Sequence, residues 1–306
     1  MSRLSLPEGF RFRDVDESDG DTAARILEAA EENLRGRAEW GAPDIDVFWR
    51  RALGDGRAWI VETGDGEAAA FAMLRVHDAE AICWAAVHPD FRGRGIATAV
   101  LAHVEAEARR SGARQLKVGT FVEDASADEL FRRLGYHEER HFFHMRLDLD
   151  KDPPLASWPP GISVSPFRPE DARAFHSTLG EAFADEWGFM SVPFEEWKRT
   201  RLEAPNTDTS LWFVARDGDE IAGVARCNLG KDGGGWIGAL GVRKPWRERG
   251  IGLALLRHAF AEFQRRGESH VNLGVDAENP TGATRLYERA GMRVLNEDVV
   301  YGKELA

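Results

Sequence analysis

Residues Leu240–Leu256 read LGVRKPWRERGIGLALL: the end of an apolar strand, a short basic loop, then the first turns of a helix. At its centre Arg247-Glu248-Arg249-Gly250-Ile251-Gly252 has the form R-x-x-G-x-G. Backbone N–H groups at a helix start have no partner within the helix, so such a turn can bind an anion. Glycine at 250 and 252 removes Cβ atoms that would keep a phosphate off that backbone. Arg247 and Arg249 add positive charge at the helix's positive end. The stretch reads as a pyrophosphate cradle, although a basic, glycine-bearing turn also occurs simply as a turn.

The chain makes this feature twice. HPDFRGRGIATAVLAHVEAEARRSGA (His88–Ala113) matches RKPWRERGIGLALLRHAFAEFQRRGE (Arg243–Glu268) position by position. From Arg92 to Arg247 the offset is 247 − 92 = 155, and Gly95 to Gly250 repeats it. FRRLGY and YERAGM then place Gly135 and Gly291 at 291 − 135 = 156, so one residue has been inserted. A self-similarity this long is a duplicated domain of about 150 residues, not a short solenoid repeat.

A chain of 306 residues fits two ordinary domains. With 43% hydrophobic and 30% charged residues it can fill two cores. The net charge of −12 argues against a general nucleic-acid partner. It is compatible with a cationic substrate, but acidic surfaces mostly serve solubility. Cys83 and Cys227 are far apart and non-equivalent in the two repeats, and read as buried thiols. No run of clustered His, Cys and Asp suggests a metal. No apolar run approaches membrane-spanning length, and MSRLSLPEGF lacks a signal-peptide core. A cytoplasmic protein with no membrane partner is expected, as monomer or homodimer.

In chain order, strands are predicted over Phe10–Val15, Arg57–Val61, Ala68–Val76, Ala81–Val87, Gln115–Phe121 and His141–Leu149. Helices are predicted over Asp21–Leu34, Pro43–Leu53, the stretch after Arg92 to Ser111, and Ser126–Leu134. DKDPPLASWPPG (Asp150–Gly161) carries four prolines and reads as a linker. The second half repeats the order. Strands are expected at Ile162–Phe167, Leu211–Ala215, Ile221–Cys227, Trp236–Val242, Val271–Asp276 and Val299–Glu304. Helices are expected at Pro169–Ala184, Phe194–Leu202, Gly250–Arg266 and Pro280–Arg289. The pattern is α/β, with a domain over 1–150, a linker over 151–161 and a domain over 162–306.

VHPDFRGRGIA and VRKPWRERGIG each match R-x-x-G-x-[GA] after a strand, and ENPTGATRLYERAGM adds an Asn…Ala…Tyr…Gly segment. In these residues the chain resembles, in duplicate, the GNAT superfamily of acyl-CoA-dependent N-acetyltransferases. The tandem layout is also similar to that of mycothiol synthase. The resemblance implies a mixed α+β sheet splayed beside acetyl-CoA as cosubstrate, with its pyrophosphate on the loop before the long helix. By resemblance, Leu240 and Val242 offer main-chain groups to the pantetheine arm, and Arg247 to Gly252, with Glu248, Arg249, Gly250 and Ile251, surround the pyrophosphate. Asn279 would touch the pantetheine, and Tyr287 would lie near the thioester sulfur. Val87, Arg92, Gly93, Arg94, Gly95 and Ala97 are the first-half counterparts.

An O–H donor near the sulfur eases departure of the thiolate, which suits Tyr287. The same residue also falls where an apolar side chain belongs on an amphipathic helix. Phe131 stands opposite Tyr287 and has no proton to donate; Glu123 and Asp124 stand near the Asn279 position. The expectation is an active second half and a first half that is structural or binds acyl-CoA without turnover. An attacking amine must first lose a proton, and Asp185, Glu186 and Glu181 in GEAFADEWGFMSVPFEEW (Gly180–Trp197) are candidate bases, with His176 behind them. Trp187, Phe189 and Trp197 are candidate walls of a pocket for a small-molecule amine. The expected activity is direct transfer of an acetyl group to a primary amine. Acetylation of an amino-sugar thiol and a non-enzymatic acyl-CoA sensor or scaffold stand as alternatives. A dinucleotide-binding fold lacks its third glycine.

Overall fold

The computed structural model describes residues 5–13, 15–36, 38, 49, 52–55, 57–150, 153–189, 191–204, 207–230 and 234–305. The helix expected over Pro43–Leu53 lies largely outside them. Two compact units form: Met1–Arg140 with Asp298–Ala306, and His141–Glu297.

In the first unit β1 (Phe10–Arg13), β2 (Ala58–Thr63), β3 (Ala68–His77) and β4 (Glu80–Val87) pair antiparallel in succession. β5 (Gln115–Phe121) joins β4 in parallel through the crossover helix α2 (Ile96–Arg110). Helices α1 (Asp19–Arg35) and α3 (Ala125–Arg133) complete it. Its outermost strand comes from the far end of the chain: Asp298–Glu304 of β12 (Arg293–Glu304) lie antiparallel to β5.

The second unit repeats the plan. β7 (Ile162–Pro166), β8 (Trp212–Asp217), β9 (Glu220–Leu229) and β10 (Gly235–Val242) are antiparallel neighbours, and β11 (His270–Asp276) runs parallel to β10. Its outer strand is β6 (His137–Asp148), whose residues Phe142–Asp148 pair antiparallel with β11. Each unit is thus the mixed α/β sheet anticipated, but each takes its outermost strand from the other half of the chain. The compact units therefore do not part at Asp150–Gly161.

The helices bury the faces that their periodicity predicts. In α6 (Ile251–Arg265) the buried set is Ile251, Ala254, Leu255, Leu256, Ala259, Phe260 and Phe263, a stripe at three- and four-residue spacing. α4 (Ala172–Phe183) follows a 3₁₀ turn at Pro169–Asp171, because proline suits a first turn. The expected helix Phe194–Leu202 divides into α5 (Phe194–Trp197) and a π turn at Lys198–Leu202. The last helix, α7 (Ala283–Arg289), begins three residues later than Pro280. Asn279 Oδ1 accepts the Thr281 N–H at 2.9 Å, and this side-chain turn holds the backbone out of the helix.

The borrowed strand is part of the first unit's core, where Val299 and Tyr301 are 3% and 2% exposed and pack with Leu116, Val118 and Phe131. Truncation after Glu297 should expose the β5 ladder, so hydrogen exchange at Gln115–Phe121 should rise to near-unprotected rates while His270–Asp276 stays protected. Unchanged protection at β5 would show that the strand is dispensable.

Candidate acyl-carrier and acceptor site

The site is built on a sheet that opens. The parallel ladder between β10 and β11 runs from Gly235↔Val271 to Trp236↔Asn272 and stops, while β10 continues to Val242. On its other side β10 stays paired with β9 as far as Val242↔Gly223. The register shifts between Ile237 and Ala239, so Gly238 is a bulge. The edge of β10 that carries Leu240 and Val242 thus faces a cleft instead of a strand. Backbone polar groups there need partners from elsewhere, which suits an extended amide-bearing arm such as pantetheine.

At the end of β10 the chain makes a 3₁₀ turn, Lys244–Trp246, and enters α6 through Gly250 (φ 86°), which caps the helix without a side chain. A Cβ at Gly250 would meet nothing within 4 Å, so the space before the helix is open. Glu248 also lies in the left-handed region, at φ 61°, where the first half has Gly93 at φ 75°. A non-glycine residue there is strained. The open N–H-lined turn fits a pyrophosphate.

The two arginines of the loop do different things. Arg247 turns inward: its Nε donates to Val242 O at 3.2 Å and its terminal nitrogen to Ala182 O at 3.0 Å, tying the loop to β10 and α4. Arg249 sits on the exposed rim, 3.4 Å from Asp217. Gly252 also makes room for a neighbouring helix. A Cβ there would lie 3.1 Å from Leu286 Cδ2, so glycine lets α7 approach α6 closely.

That approach places Tyr287, the next residue of α7, which is 9% exposed. Burial, and secondarily the charge of Glu186, holds its hydroxyl well above the usual tyrosine range. Asn279 Nδ2 donates to Glu186 Oε1 at 3.1 Å, and it is this carboxylate whose charge acts on Tyr287. Burial raises the Glu186 pKa; the Asn279 hydrogen bond opposes the rise and Asp276 adds to it. The other candidate bases are committed elsewhere. Asp185 is exposed and paired with Lys244 at 2.8 Å, an ion pair that lowers its pKa. Glu181 accepts from Arg243 Nε at 2.8 Å and from the Lys244 N–H, and it too is shifted down. His176 Nε2 lies 2.8 Å from the Val192 carbonyl, which accepts its proton.

Phe183 and Phe189, whose main chains hydrogen-bond to that of Glu186, wall a cavity of about 530 Å³ that Leu179 and Trp197 also line and that carries Arg226 and Arg201. Trp187 instead packs against Phe142, with ring centroids 5.9 Å apart. Arg226 was not legible as a site residue. In ARCNL it reads as one polar residue of an alternating strand, and only the register places it across from Ala239, inside the opening.

The first unit keeps the scaffold but differs in the side chains around it. Its ladder between β4 and β5 also stops early, at Cys83↔Val118, leaving Val87 beyond it. α2 likewise begins at a left-handed glycine, Gly95 (φ 83°), followed by Ile96 and Ala97. There, however, Pro7 Cγ lies 3.8 Å from the position a Gly95 Cβ would take. Arg92 is 3.4 Å from Asp124, which caps α3, and Arg94 donates to Asp90 O. Glu123 pairs with Arg35. Phe131 is a core side chain, its ring centroid 5.2 Å from that of Tyr301. Where the second unit pairs Arg226 with Ala239, three residues in from the strand end, the first pairs Met73 with Trp84. Both join the cluster of Ile26, Trp49, Ile60 and Phe71, so core fills that space.

The sequence model of the Acetyltransferase (GNAT) family matches residues 23–136 and 173–292. Mycothiol acetyltransferase of Acidothermus cellulolyticus is 32% identical over 231 residues, covering 70% of this chain and 69% of its own. That of Kineococcus radiotolerans is 32% identical over 276 residues, covering 88% and 84%. A GCN5-related N-acetyltransferase from Sphaerobacter thermophilus superposes with a TM-score of 0.84 at 34% identity, over 98% of this chain and 97% of that one. A tandem GNAT protein from the clavulanic acid biosynthesis pathway shares the fold, with a TM-score of 0.73 at 19% identity over 97% and 99%. No helix of the described residues is long and apolar enough to cross a membrane.

The strain at Glu248 has a measurable size. Glu248→Gly should raise the unfolding free energy of the second unit by about 1 kcal/mol, read from the midpoint of urea denaturation. A loss of stability would mean that the Glu248 side chain makes up for its backbone.

Proposed function

The chain belongs to the Acetyltransferase (GNAT) family, and from that premise we propose that its second unit moves an acetyl group from acetyl-CoA to a primary amine of a small molecule. The observation that carries this reading is the buried Tyr287 hydroxyl, which feels the charge of the Asn279-bonded Glu186, in the unit whose β10–β11 ladder stops at Trp236↔Asn272. The Gly250 turn would take the pyrophosphate, with Arg249 on its rim and Arg247 holding the loop in shape. Leu240 and Val242 would pair with the pantetheine through main-chain groups.

Glu186 takes a proton from the ammonium form of the acceptor, directly or through a water, freeing the nitrogen lone pair. The nitrogen attacks the thioester carbonyl; a C–N bond forms and the C–S bond breaks. Tyr287 gives its proton to the departing thiolate and recovers one from the acetylated nitrogen, directly or through water, while the proton held by Glu186 returns to solvent. Burial suits both partners: it keeps Tyr287 protonated across the neutral range and makes Glu186 a stronger base than a surface carboxylate. The first unit, with Phe131 at the tyrosine position and core in place of the cavity, holds the fold or binds the carrier without turning it over. An acceptor like that of the mycothiol acetyltransferases is a second reading, supported by identities near 30% over most of the chain.

Tyr287→Phe should lower kcat about 100-fold or more with little change in melting temperature, whereas Phe131→Leu should leave kcat within about twofold. Equal losses would contradict the asymmetry. The pH profile follows from the direction of the Glu186 shift: kcat/KM should climb with pH through a value above the ordinary glutamate range, and Glu186→Gln should abolish that limb. A limb that survives Glu186→Gln assigns the base elsewhere.

A further inference from the structure

The cavity that Phe183 and Phe189 line carries more information than its apolar walls. Two guanidinium groups, Arg226 from β9 and Arg201 from the π turn, line it together. Arg226 is only partly exposed. One terminal nitrogen donates to Gly238 O at 3.2 Å, and no carboxylate among the described residues pairs with it. A guanidinium has five N–H donors, so one carbonyl satisfies little of it. A cation withdrawn from water needs a counter-charge. Burial, with the nearby Arg201, pulls its pKa down to about 10, which still leaves it charged at neutral pH.

The charges facing Arg226 do not supply that partner. Glu181 lines the same cavity but is held by Arg243 and the Lys244 N–H. His176 spends its Nε2 proton on Val192 O. The remaining wall near Arg226 is Ala239, whose small side chain leaves room in front of the guanidinium. In the first unit the matching pair is Met73 and Trp84, which fill that room and bring no charge. The cation and the space occur together in the unit that keeps Tyr287.

We propose that the cavity receives an anionic group, carboxylate or phosphate, borne by the amine acceptor itself, with Arg226 and Arg201 as its binding residues. This rests on reading the second unit as the acetyltransferase. The acceptor is then an amine with a negative charge at its other end, as in an amino acid, a short peptide or a phosphorylated amine. The protein's overall acidity gives no hint of it, because the two cations are a local pair lining one cavity. A guanidinium fork also matches the planar, two-oxygen geometry of a carboxylate.

The test is a series of ω-amino acids from glycine to 6-aminohexanoate, each paired with its own carboxamide, together with 2-aminoethyl phosphate. Binding to the full-length protein saturated with CoA is read by tryptophan fluorescence, since Trp197 lines the cavity, and acetyl transfer is read separately as free thiol. A charge-assisted hydrogen bond predicts that at one or more chain lengths the carboxylate binds about 10-fold or more tighter than its amide. Arg226→Gln should erase that difference, Arg226→Lys should keep part of it, and Arg201→Gln should reduce it. Affinity for CoA should change less than about twofold. Because Arg226 also holds the Gly238 carbonyl, a purely structural role would weaken carboxylate and carboxamide alike and leave their ratio unmoved. Tighter binding of 2-aminoethyl phosphate than of any amino acid supports the anion site and names phosphate as its group. Equal or undetectable binding of every charged and uncharged pair overturns the inference, while thiol release with any amine in the panel still upholds the acetyltransferase reading. A protein that gives no heat with CoA fails that earlier reading instead.

Discussion

The parallel ladder that ends at Trp236↔Asn272 is the constraint on which the rest of the second unit depends. A sheet normally satisfies every main-chain donor and acceptor of an inner strand. Here β10 leaves its partner part-way, at a bulge whose carbonyl, Gly238 O, is taken by Arg226. Glycine gives it room, because a Cβ would come within 3.0–3.2 Å of that guanidinium. The opened edge and the helix start at Gly250 lie along one stretch of chain, and α7, which carries the buried Tyr287, packs against it at Gly252. The first two are polar groups that the fold withholds from their usual partners. The carrier's pyrophosphate and amide arm are the chemistry that fits such a row.

The two units share this constraint and diverge in what surrounds it. Both parallel ladders stop early and both long helices start at a left-handed glycine. Scaffold of this kind depends on backbone conformation, so it survives many changes of side chain. Chemistry depends on single atoms. One oxygen separates tyrosine at 287 from phenylalanine at 131, and the pair Met73–Trp84 against Arg226–Ala239 decides whether the space beside β4 or β10 is core or cavity. Together these differences leave the first unit without the hydroxyl and with core packing where the second unit has Arg226 and Ala239.

Much of this was legible because it is local. The glycine-bearing turns, the duplication and the order of strands and helices all lie within short windows where spacing is informative. The exchange of outer strands was hidden, because Asp298–Glu304 meet Gln115–Phe121 across most of the chain and no local pattern encodes such a pairing. Arg247 read as a phosphate ligand, but its guanidinium faces two carbonyls. Gly252 read as clearance for phosphate, yet its missing Cβ makes room for Leu286. Among the acids of Gly180–Trp197 the sequence could not choose. Burial and ion pairing, which separate Glu186 from Asp185 and Glu181, are properties of packing.

The central claim is that the opened edge of β10 and the following helix start are held ready for an acyl carrier. Hydrogen–deuterium exchange with and without saturating CoA tests it most directly, because it reads main-chain N–H groups themselves. The account predicts slower exchange across Ala239–Gly252 on adding CoA, with β8 unchanged. Equal exchange over Ala239–Gly252 at saturation would contradict it.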